Sequence, residues 1–67
     1  MIGKVKAFKV HKGYGFIAGD DGQDYFFHIS QIVSDKPLGV GRKVEFNPMK
    51  TKKGLQAASI IELEDEE

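Results

Sequence analysis

Two aromatic runs, YGFI at residues 14–17 and YFFHI at 25–29, stand on either side of a GDDG stretch at 19–22. This pairing constrains the fold more than any other feature of the chain. Asp-Gly supplies the positive φ that a tight turn needs, so the runs read as antiparallel strands of one hairpin. Side chains alternate across a strand. Tyr14 and Phe16 therefore share one face of the first strand, and Gly15 and Ile17 the other. In the second, Phe26 and His28 share one face, and Tyr25, Phe27 and Ile29 the other. The two strands must agree on which face is wet. Burying the Phe26/His28 face would desolvate an imidazole with no evident partner, at about 1–3 kcal/mol. The opposite face carries no comparable penalty. Tyr14, Phe16, Phe26 and His28 are thus expected to face solvent, with Ile17, Tyr25, Phe27 and Ile29 inside.

The rest of the chain extends this pattern. Runs rich in Val, Ile, Phe and Tyr recur between glycine-containing breaks, which predicts strands near 3–10, 14–19, 24–29, 42–49 and 55–63. TKKG at 51–54 reads as a second hairpin turn, and a short helical turn is expected near 30–33. Between Ser30 and Gly41, Pro37 and two glycines argue for an irregular connection. Five strands in 67 residues cannot enclose a two-sheet sandwich. Curling them into a barrel buries one face and removes the edges, as an all-β barrel of the OB or SH3-like type. With no cysteine, neither disulfides nor thiolate metal sites are available. No apolar run approaches the roughly 20 residues that span a bilayer, and the lysine-studded start is not expected to be a signal peptide. A cytoplasmic monomer without membrane contact is expected.

Formal net charge is zero, yet the charges are segregated. Residues 1–12 hold four lysines and no acid, residues 38–54 hold five cations against Glu45 alone, and residues 62–67 hold five acids. Three outward rings and a histidine form an apolar patch that an ordinary monomer avoids. Flat rings rimmed by lysine suit the stacking of nucleic-acid bases, since every base has a π-face and every phosphate a charge. Gly13 and Gly15 are expected to let the rings stand clear and a ligand approach. The competing reading is a protein-interaction module that uses the same aromatic face.

KGYGFI at 12–17 resembles the first ribonucleoprotein motif of the cold-shock domain family, usually K-G-F-G-F-I, and YFFHIS at 25–30 resembles the second, usually V-F-V-H-F-S. GKVK at 3–6 is similar to the family's opening, and GLQAA at 54–58 to its fifth strand. The resemblance spans about residues 2–63. It implies a five-stranded antiparallel OB-fold barrel over residues 1–63, followed by an acidic tail at 64–67. It also implies a non-catalytic binder of single-stranded RNA or DNA, of low sequence specificity, acting as an RNA chaperone or cold-shock-type regulator. Carried over residue by residue, Tyr14, Phe16, Phe26 and His28 would meet bases, joined by Phe8 and Gln56, while Lys4, Lys6, Lys12 and Lys53 would line the phosphate track. The chain departs from the family at Ala7, where a tryptophan is usual, and at Ile29, where a phenylalanine is usual. It departs again at Pro37 and Leu38, near a common aromatic position, and at Tyr25 and Phe27, which replace smaller β-branched residues.

Other chemistry fares worse. GYGFIA at 13–18 matches the dinucleotide fingerprint G-x-G-x-x-A, but an Asp-Gly turn follows where a helix is required. His11 and His28 are the only histidines, no nucleophile elbow or paired-carboxylate cleft is evident, and neither an enzyme nor a metal or cofactor site is expected. The acidic tail reads first as a solubilising end and second as a competitor for the lysines.

Overall fold

The computed structural model describes residues 1–33 and 38–63. Five strands form it: β1 (Ile2–Lys9), β2 (Tyr14–Gly19), β3 (Asp24–His28), β4 (Lys43–Thr51) and β5 (Gly54–Glu62). They close into a barrel in the order β1-β2-β3-β5-β4. This is the expected OB-type barrel, with strand ends shifted by one or two residues. The expected antiparallel pairing holds at four seams. The fifth, between β3 and β5, is parallel and rests on the single register pair Phe26–Gln56. Geometry requires such an exception. Around a ring with an odd number of strands, directions cannot alternate throughout, so one neighbouring pair must run the same way.

The core consists of Val5, Ile17, Tyr25, Phe27, Leu38, Val44, Phe46, Ala57 and Ile60. Phe27 and Phe46 are its largest fully buried side chains. Tyr25 packs on Phe46 with ring centroids 5.1 Å apart. Leu38, from the long connection, is buried among them, whereas Pro37 and the 64–67 tail lie outside the described residues.

Gly15 faces this core, not a ligand. A Cβ there would lie 2.7 Å from Cζ of Phe27 and would collide with the backbone carbonyl of Ala7. Its missing side chain accommodates the large ring that this chain carries at position 27. Gly13 serves the backbone instead. At φ 78° it ends a 3-10 turn over Val10–Lys12 that the sequence pattern did not predict. A second 3-10 turn covers Ile29–Gln31, close to the expected one. It takes Ile29 out of β3 and leaves it 43 % exposed, correcting the inward placement expected from alternation. The Ile29 amide is held by the Gly13 carbonyl at 2.8 Å, and alternation ceases where the strand does.

The turn between β2 and β3 carries the positive φ at Gly22, 85°, and the Gly22 amide donates to the Gly19 carbonyl. From the adjoining strand the Tyr25 hydroxyl donates to Asp21 Oδ2 at 2.7 Å. That bond lowers the Asp21 carboxyl below its ordinary range and raises the Tyr25 hydroxyl above its own. The lowered acid contributes stability that is complete above the ordinary carboxylate pKa and is lost as pH falls through the native value. The raised phenol contributes stability that is complete below about pH 10 and is lost as pH rises through its native value. Thermal melts of wild type and Tyr25→Phe should therefore differ most at neutral pH, with wild type the more stable. The gap should narrow as Asp21 is protonated in acid; a gap independent of pH would rule out this bond as its source.

Candidate nucleic-acid interface

On β2 and β3 the register pairs are Tyr14–His28, Gly15–Phe27, Phe16–Phe26 and Ile17–Tyr25. Ile17, Tyr25 and Phe27 are buried, so the partners of opposite parity are turned outward together. Tyr14, Phe16 and Phe26 form a continuous ring cluster. Tyr14 lies 5.6 Å from Phe26 and 6.5 Å from Phe16, and Phe16 lies 5.7 Å from Phe26 in an edge-on arrangement. Such spacings are those of favourable aromatic pairs. Phe16 is 37 % exposed, with Tyr14 and Phe26 half-buried at its flanks.

His28 stands at the end of this cluster, exposed, opposite Tyr14. Its Nδ1 accepts the Ser30 amide at 3.1 Å and lies 3.0 Å from the Ser30 hydroxyl. With Nδ1 occupied as an acceptor, the neutral ring presents its Nε2 N–H as a donor. At the other end, Phe16, Phe26, Lys53, Leu55 and Gln56 line an open cleft of about 370 Å³. Gln56 and Lys53 thus border the ring cluster.

Phe8 does not join it. A β-bulge interrupts β1 between Val5 and Ala7. Val5 still faces Ile17, but beyond the extra residue Ala7 faces Phe16, Phe8 faces Gly15 and Lys9 faces Tyr14. An uninterrupted β1 would have set Phe8 opposite Tyr14, on the outer face. The bulge turns it inward, where its ring packs 5.4 Å from Phe27. The same shift brings Lys9, which sequence reasoning missed, opposite Tyr14. Only the bulge reveals it.

The lysines differ in availability. Lys6 Nζ sits 2.8 Å from Asp24 Oδ2, an exposed ion pair of the kind worth about 0–1 kcal/mol and weakened by salt. Among the described residues Lys4, Lys9, Lys12 and Lys53 make no ion pair. Lys4 lies across from Lys43 on β4 and from Ala18 on β2, two residues along β2 from Phe16 on the same face. Lys12 closes the 3-10 turn that precedes Tyr14.

A family model described as the 'Cold-shock' DNA-binding domain matches residues 1–63. The chain belongs to the cold-shock domain family. It is 50 % identical over 62 residues to a cold shock-like protein of Thermotoga maritima, an alignment covering 90 % of this chain and 94 % of that one. It is 48 % identical over 61 residues to cold shock protein 1 of Lactiplantibacillus plantarum, covering 88 % and 92 %. Among solved structures it is similar to drosophila Unr CSD456, with a TM-score of 0.74 at 24 % identity. That match covers 94 % of this chain and 26 % of the other, and it speaks to the fold alone.

Within this cold-shock barrel, Phe8 and Phe16 occupy opposite sides of the sheet, and their loss should be felt differently. By denaturant unfolding, Phe8→Ala should cost about 2–3 kcal/mol, as truncation of a part-buried core ring does. Phe16→Ala should cost about 1 kcal/mol or less, as expected of a largely exposed position. Equal losses would contradict the inward turn at the bulge.

Proposed function

We propose that this cold-shock domain binds single-stranded RNA or DNA non-catalytically, by stacking bases on Tyr14, Phe16 and Phe26. His28 and Gln56 add polar contacts, and Lys12, Lys53 and Lys9 attract the phosphates. Lys4 and Lys6 contribute from the β1 side, Lys6 after release from Asp24. The observation that carries this reading is the contiguous cluster of three rings on the solvent side of β2 and β3, bordered by lysines that make no ion pair among the described residues. A buried-core protein gains nothing from such a surface; a base-stacking one requires it.

Stacking contributes about 1–3 kcal/mol per base by alanine substitution. Three or four platforms give roughly 6–8 kcal/mol before the cost of ordering the strand, hence dissociation constants of about micromolar or weaker. Faces rather than edges are read, so sequence specificity is low. A protein that binds only unpaired bases shifts a hairpin towards its open form by mass action, which is how the domain would act as an RNA chaperone. On this reading the working unit is a cytoplasmic monomer, its domain spanning 1–63 with 64–67 as an appended acidic tail.

Titration of a fluorescent oligothymidylate or oligouridylate at low salt tests the proposal. Phe16→Ala and Phe26→Ala should each weaken binding several-fold while the barrel stays folded. Unchanged affinity in the folded double variant would overturn the stacking platform, and absence of any saturable binding would favour a protein partner for this face. With about three phosphates neutralised, log K should fall against log salt with a slope of about −2.

A further inference from the structure

The outward row of side chains does not stop at Gln56. Phe16 faces Phe26 across β2 and β3, Phe26 faces Gln56 across β3 and β5, and Gln56 faces Met49 across β5 and β4. Register partners present their side chains on the same side of a sheet. These four residues therefore form one cross-strand row, with Met49 at its far end. Met49 is 48 % exposed and takes no part in the core; its place in this row, rather than its exposure, sets it apart from the chain's other exposed apolar side chains.

Its surroundings are basic. From Asn47 to Gln56 the β4–β5 hairpin carries Lys50, Lys52 and Lys53 and no acid. None of the three makes an ion pair among the described residues. Neighbouring strands are about 4.8 Å apart, so Met49 lies roughly 10 Å across the sheet from Phe26. One base cannot cover both, but the next stretch of the same strand reaches it. A thioether on an unbranched stem suits such a contact: it is polarizable, adapts its rotamer, and makes favourable contacts with aromatic rings without demanding a particular base edge.

We propose that Met49 is a further base-contacting position, so that a bound strand runs from the ring cluster over Gln56 and onto the β4–β5 hairpin. There Lys53, which borders the ring cluster, meets its phosphates. This rests on the stacking reading above and extends its surface. A protein partner suits the hairpin less well, because the apolar area is one side chain wide while the charge is of a single sign and continuous with the lysine border of the rings.

The chain holds two methionines, Met1 and Met49. Met1 lies beside Gly19, at the far end of β2 from Phe16, and so serves as an internal control. Protein labelled with 13C at the methionine methyls should be titrated with oligothymidylates, first a trinucleotide and then progressively longer chains, while aromatic ring signals are followed in the same samples. The short chain should shift the rings alone. Longer chains should also shift the Met49 methyl and leave Met1 still. In parallel, Met49→Ala should weaken binding of the long oligonucleotide by about two- to tenfold and leave the trinucleotide's affinity unchanged. If the rings respond to the long chain while the Met49 methyl does not, the strand ends at Gln56 and the extension is wrong, with the platform intact. If neither responds, both readings fall together.

Discussion

The fit of Phe27 against Gly15 is the contact on which the rest of this barrel depends. A ring of that size on the inner face of β3 needs space on β2, and only a residue without Cβ provides it opposite. Once Phe27 is buried there, strand alternation leaves no choice for its neighbours. Phe26 and His28 turn outward on β3, and Tyr14 and Phe16 turn outward on β2. A slip of one residue in this register would expose Phe27 and Ile17 and bury the imidazole, reversing a large apolar gain and adding a desolvation cost. The solvent-facing rings are thus a by-product of what the core demands as much as a feature of the surface.

The bulge in β1 extends the same logic to the third strand of the sheet. By inserting one residue it directs the single aromatic of β1 into the interior, where Phe8 supports Phe27 from the side. The position beside Phe16 on the outer face is left to Ala7. The aromatic surface therefore has a firm foundation and a shallow flank. Charge is similarly uneven. Lys6 is engaged by Asp24 next to that flank, whereas Lys9 and Lys12 near Tyr14, and Lys53 near Phe26, make no ion pair among the described residues.

Much of this was legible in the residue order, and the illegible parts share a cause. Alternation, an Asp-Gly turn and one costly imidazole sufficed to sort Tyr14, Phe16, Phe26 and His28 from Ile17, Tyr25 and Phe27. Those signals are local and periodic. What escaped depends on where periodicity breaks or on partners distant in sequence. No residue type announces the bulge at Lys6, so Phe8 was expected outside and Lys9 was passed over. Ile29 follows the alternating pattern by identity, yet the strand ends at His28 because Gly13 and Ser30 draw the chain into a turn. Leu38, a single apolar residue in a connection rich in glycine, is buried by contacts that only the closed barrel creates.

The parallel joint between β3 and β5 has a consequence for how such a barrel holds together. Every other seam is a ladder of several register pairs, whereas this one has a single rung within its strands, at Phe26 and Gln56, and one more beyond β3, where Ile32 bridges Ile60 and the Val33 amide donates to the Ile60 carbonyl. It also unites segments distant in sequence, a contact that carries a loop-closure cost in chain entropy. The least-stitched edge of the cylinder thus runs directly beneath the aromatic surface. Anything resting on Phe26 and Gln56 at once lies across that edge like a suture, and the free energy of its attachment counts towards keeping the cylinder shut.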